Sequence, residues 1–171
     1  MTEARVEAWL RGPVPEVPPL LQPVAHALIE AAEVARLAVT GLDDALLWAR
    51  PGGAASCGYH LRHLVGSLDR LLTYARGAML DDGQREALAG ESSSTGPDAA
   101  ALLAALDVRI ERSLAQLRAT SAETLLDRRE VGRARIPSTV FGLLVHAAEH
   151  TSRHVGQVVT TAKVVRGLAA G

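Results

Sequence analysis

Apolar residues recur along this chain at intervals of three and four with almost no alternation, the period that lays one buried stripe along a helix. From Leu20 to about Val39 the stripe is Leu21, Val24, Ala25, Leu28, Ala32, Ala35 and Val39, with Pro23 in the first turn and Gly41 closing the run. Pro51-Gly52-Gly53 is a break, after which Ser56 reads as the N-cap of a second helix. Its stripe is Leu61, Leu64, Val65, Leu68, Leu71 and Leu72, and it ends near Gly77. Asp81–Gly90 predicts a short helix, and Glu91–Pro97 a polar connector running over the surface. Asp98 caps a third long helix, whose stripe Leu102, Leu103, Leu106, Ile110, Leu114 and Leu117 holds to about Ala119. The charged segment Asp127–Arg135 reads as an irregular, solvated loop. Pro137 and Ser138 open a fourth long helix that runs to about Arg166, with Val140, Leu144, Ala148, Val155, Val158, Val159 and Ala162 inward. No strand pattern competes, so the expected fold is all-α, most simply a four-helix bundle.

Composition narrows this picture. The four prolines of Gly12–Pro19 cannot lie in a helix interior, so residues 1–19 read as an N-terminal extension and residues 20–171 as the helical domain. Apolar residues are 48 % of the 171 but aromatics only 3 %, which requires a core built from many small aliphatic contacts. Charged residues are 22 %, interleaved to a net −1, so no nucleic-acid footprint is expected. The longest stretches free of charge, Val17–Ile29 and Ile136–Ala148, are about 13 residues, too short for a membrane span. Met1-Thr2-Glu3-Ala4-Arg5 shows no apolar leader, and the single cysteine, Cys57, suits a reducing compartment; the expected location is the cytoplasm.

The chemistry lies in the histidines. Of six, His60 and His63 share the second helix, His146, His150 and His154 share the fourth, and His26 stands apart as a surface or hydrogen-bonded core residue. At about 100° per residue, His150 and His154 lie about 40° apart and about 6 Å along the axis, so both rings can face one cation. His146 and Gln157 extend the same stripe, which is polar where a bundle helix would bury aliphatics. The second helix offers a third nitrogen from His63 or from His60 on nearly the same face. Three imidazoles leave a coordination position for water or substrate, the arrangement of a catalytic rather than a structural site. Arg70 and Tyr74 fall on the His63 stripe and are candidates to line a pocket, as are His60 and Gln157. Glu149 and His146 are candidate general bases.

His146-Ala147-Ala148-Glu149-His150 also fits H-x-x-E-H, the inverted zinc-peptidase signature, in which Glu149 would be the base. Those peptidases are larger mixed α/β enzymes, and an all-α chain lacks the strands that shape a peptide cleft. Cys57, at the start of the second helix, has no partner that would activate it and reads as a buried structural thiol.

The segments Ser56-Cys57-Gly58-Tyr59-His60-Leu61-Arg62-His63-Leu64-Val65-Gly66-Ser67-Leu68-Asp69-Arg70 and His146-Ala147-Ala148-Glu149-His150-Thr151-Ser152-Arg153-His154-Val155-Gly156-Gln157 resemble the DinB-like (DinB/YfiT) superfamily of four-helix-bundle metalloproteins, and the likeness covers most of Leu20–Arg166. The second segment is the more specific, since H-x-x-x-H-x-G-Q fixes several residue types at once. The resemblance implies a ligand triad of His63, His150 and His154 and leaves the roles of His60 and His146 open. It further implies a divalent metal, zinc foremost, with nickel, iron or manganese as alternatives, and a homodimer. Family members with assigned activities are thiol-dependent, among them S-transferases using bacillithiol or mycothiol and a mycothiol-dependent isomerase; relatives in ergothioneine synthesis use iron. The expected function is therefore a metal-dependent S-transferase drawing on a low-molecular-weight thiol, or a small-molecule hydrolase. The alternatives are a non-catalytic metal-binding or sensing bundle and, below that, the H-x-x-E-H metallopeptidase.

Overall fold

The structure, a computed structural model, describes residues 5–171; the first four residues, on which the absence of a leader was largely read, lie outside it. In chain order the elements are α1 (Gln22–Val39), α2 (Asp44–Trp48), α3 (Cys57–Ala75), α4 (Asp82–Gly90), α5 (Ala99–Ala119), β1 (Arg128–Val131), β2 (Ile136–Thr139) and α6 (Val140–Ala170), with single 3-10 turns between several of them. The four long helices α1, α3, α5 and α6 pack round a common core, α6 and α5 each lying between α1 and α3. The expected all-α class holds.

Local chemistry sets the boundaries. The Ser56, Asp81 and Asp98 side chains each accept a hydrogen bond from a backbone N–H in the first turn of α3, α4 and α5, as capping requires. Gln84 returns a bond to the Asp81 backbone and completes a capping box. The core is aliphatic: Leu21, Leu28, Leu61, Leu64, Leu68, Leu106, Leu117 and Leu144 are essentially sealed from solvent.

Two local expectations are corrected. Asp127–Arg135 is ordered, because Arg128–Val131 pairs antiparallel with Ile136–Thr139 in the register Arg129↔Ser138 and Val131↔Ile136. Pro137 and Ser138 accordingly belong to β2, and α6 begins at Val140, capped by the Thr139 hydroxyl accepting from Gly142 N–H. The hairpin is tied to the helix start by Val140 N–H to Asp127 O and Phe141 N–H to Leu125 O. The proline-rich segment lies against α1. Arg5 and Arg11 pair with Glu30 and Glu33, Ala8 N–H donates to Glu30, and Val17 joins the core.

Candidate metal centre

The α3–α6 contact brings residues 87 apart in sequence into one cluster. His63 Nε2 lies 2.9 Å from His150 Nε2, and the His150 and His154 ring centroids are 4.5 Å apart. One ligand nitrogen from each of His63, His150 and His154 can be chosen so that all three lie within 4.8 Å of one another. The i, i+4 spacing on α6 sets the last two rings side by side, and α3 faces them with His63. These rings are half-buried. Burial, followed by the neighbouring histidines, lowers the pKa of both His150 and His154 to about 4. Both imidazoles are thus neutral at pH 7 and carry the lone pairs that ligation needs.

Two of the three rings, His63 and His154, are held from behind. His63 Nδ1 donates to Glu91 Oε2 at 2.8 Å, which leaves Nε2, the atom beside His150, as the acceptor nitrogen. Tyr59 stacks on the other face of His63, nearly parallel at a centroid distance of 5.7 Å. His60, only 5 % exposed, places its Nδ1 3.0 Å from His154 Nδ1. Burial, and then the proximity of His63, lowers the His60 pKa.

Glu91 departs most from expectation. The surface connector assigned to Glu91–Pro97 is right for residues 92–97, but Glu91 itself is buried at 6 % exposure. Burial alone would raise its pKa; hydrogen bonds from His63 and Arg70 outweigh that and hold its carboxyl below the usual range. Arg70 donates to both of its oxygens, at 2.5 and 3.3 Å. The connector is anchored by Arg62, which donates to Gly90 O and Ser93 O and lies over the Trp48 ring, and by Trp48 Nε1–H donating to Pro97 O. A sequence signal existed, since a glutamate directly after a helix-ending glycine is out of place among serines, but nothing local says that the chain folds it inward.

The remaining candidates are placed as follows. Arg70 points at Glu91, while Tyr74 is buried in the core. Gln157 is exposed and lines, with His60, Arg153, Gly156, Thr160 and Thr161, a cleft of about 450 Å³ flanking the cluster. His146 and Glu149 lie on the outer face of α6, each side chain 51 % exposed; Glu149 pairs with Arg153 and lies 3.3 Å from His146 Nδ1. The three-histidine cluster does not include His146, which the H-x-x-E-H reading needs as a ligand. His26 donates through Nε2–H to Gly12 O at 2.9 Å. Cys57 is sealed, with burial pushing its thiol up to about 11.

A helical bundle with three convergent histidines on two of its long helices defines a class of metal-site architecture. The family model of the DinB superfamily matches residues 27–158, a span that contains all of these histidines except His26, and the chain belongs to that superfamily. No curated protein matches the chain. Among the described residues, no helix is long and apolar enough to cross a membrane.

Proposed function

We propose that this chain is a metal-dependent enzyme in which His63, His150 and His154 hold one divalent cation, zinc foremost, beside a small-molecule cleft. The observation that carries the reading is the convergence of three imidazole nitrogens, His63 with its acceptor nitrogen turned toward His150. The donor set fits the group. Neutral imidazoles suit zinc, nickel and iron alike, so the choice of zinc rests on three nitrogen ligands with an open position, the common catalytic arrangement. Such a cation supplies Lewis acidity, which favours the deprotonated form of a thiol or water at pH 7.

The chain's own residues do the rest. Glu91 and Tyr59 fix the His63 ring, and His60 does the same for His154. The cleft beside His60 offers the Gln157 amide and the Thr160 hydroxyl to a bound small molecule, with Arg153 at its edge. With Glu149 on the outer face and paired to Arg153, proton transfer falls to the thiol or water and to His60 rather than to the H-x-x-E-H glutamate. We infer an S-transferase that joins a low-molecular-weight thiol to an electrophile, with a small-molecule hydrolase as the second reading, because the cleft has room for a compact substrate and the sheet among the described residues is a single two-stranded hairpin outside the lining of that cleft. A homodimer in the cytoplasm is the setting we propose, supported by the sealed single cysteine and by apolar side chains exposed on α6, Val145, Val164 and Leu168 among them.

Elemental mass spectrometry of protein purified without added metal is the first test, repeated on H63A, H150A and H154A. Close to one metal per chain is expected in the wild type, with at least tenfold less in each variant. Full metal in all three variants would end the triad assignment. A panel of thiol–electrophile pairs and of simple esters then separates transferase from hydrolase, and metal without turnover on either favours a binding or sensing bundle.

A further inference from the structure

We propose that Glu91, braced by Arg70 and admitted by Gly66, is the positioning residue of this centre: it fixes the tautomer and ring orientation of His63 and thereby the strength with which the site holds a cation. The proposal rests on the metal reading above and adds Glu91, which lies outside both histidine segments, together with Gly66 and Arg70.

A buried carboxylate is costly unless charge and hydrogen bonds compensate it. Glu91 has both, since its two oxygens take the Arg70 guanidinium and one of them also accepts the His63 Nδ1–H. The ring is therefore not free to exchange its nitrogens. A neutral histidine that gives its Nδ1 proton to a carboxylate presents its lone pair at Nε2, and that is the nitrogen 2.9 Å from His150. Arg70 has a second effect. Its guanidinium donates to both Glu91 oxygens, so the carboxylate is held in place as an acceptor facing His63 Nδ1.

Gly66 leaves room for the Glu91–Arg70 pair, whose side-chain ends would have to shift if a Cβ stood there. It lies on α3 between His63 and Arg70, and a Cβ there would overlap Glu91 Oε1 and come within 2.7 Å of Arg70 Nη1. Its backbone is helical, so no unusual torsion calls for glycine. The missing side chain leaves the passage through which the carboxylate and guanidinium meet. The connector carrying Glu91 is anchored at both ends of residues 90–97, by Arg62 and by Trp48, so the carboxylate is delivered from a fixed backbone.

The test uses E91A, E91Q and G66A. Zinc affinity is measured by competition with a chromophoric chelator, and the His63 tautomer by long-range ¹H–¹⁵N correlation on metal-free protein. In the wild type, His63 is expected as the Nδ1–H form. E91A and G66A are expected to bind zinc about 10- to 100-fold more weakly and to give His63 a mixture of tautomers. E91Q, which keeps an oxygen acceptor, is expected to retain the Nδ1–H form and to lose less affinity than E91A. Wild-type affinity in both E91A and G66A, alongside loss in H63A, would overturn the proposal. So would an Nδ1–H tautomer that persists in E91A, or equal losses in E91Q and E91A, which would assign the effect to net charge. If the wild type takes up no zinc, the metal reading fails by itself, and the tautomer measurement still decides whether Glu91 governs the ring.

Discussion

Trp48 lies where two glycines permit it. A Cβ on Gly58 would stand 2.7 to 2.8 Å from its indole carbons, and one on Gly96 would stand 2.9 Å from its far edge. The ring is thus wedged between the first turn of α3 and the connector behind Glu91, and Arg62 covers it at 4.6 Å. G58A should destabilise the fold by about 1–3 kcal/mol, the usual cost of overpacking, measured as a lower urea midpoint at unchanged slope. Cys57, one residue earlier, makes a different prediction. Fully buried, with its thiol pushed up to about 11, it should resist thiol reagents in native protein at pH 8 and react at once in denaturant. Fast native labelling would mean that the N-terminus of α3 opens more readily than its packing indicates.

At the scale of elements, caps and stripes were legible because each needs only a few neighbouring residues. Ser56, Asp81 and Asp98 announce the helices they cap, and replacing Asp98 by Ala should cost about 1 kcal/mol in a denaturation curve. What stayed hidden depends on distant partners. The Arg128–Val131 strand is four residues long and carries three charges, so its alternation is too brief to stand out from a solvated loop. Its partner begins Ile136-Pro137, a pair that looks more like a helix start than a strand. The pairing is fixed instead by the ties from Val140 and Phe141 back to Asp127 and Leu125, and no local pattern contains those. Likewise the His150–His154 spacing on α6 is visible in five letters, whereas the Glu91–His63 hydrogen bond joins residues 28 apart. The short α2 was missed for the opposite reason: a five-residue helix is below the length at which a period can be seen.

For the whole molecule, closing the bundle obliges several histidines to stay uncharged, and this gives its stability a definite dependence on pH. Burial, before any other cause, lowers His60, His150 and His154 from an ordinary 6.5, the last two to about 4. Such a group binds fewer protons in the folded chain than in the unfolded one. Acidification below about 6.5 therefore favours unfolding, and the loss continues until the folded forms titrate near 4. Carboxylates act in a lower window. Glu91, Glu30 and Glu33 are all held below an ordinary 4.5, so the stability they contribute is present above that value and disappears beneath it. Metal-free protein should thus show a flat urea midpoint from pH 8 to 7, a fall between 6.5 and 4 that shrinks in a double H150A/H154A variant, and a further fall below 4.5 that does not. Saturating zinc should raise the midpoint at pH 7, by about 2.7 kcal/mol at a hundredfold excess over Kd. The gain should shrink by pH 5, because protons and cation compete for the same imidazole lone pairs. A zinc effect independent of pH would place the bound ion on other groups and detach the stability of the fold from its histidine cluster.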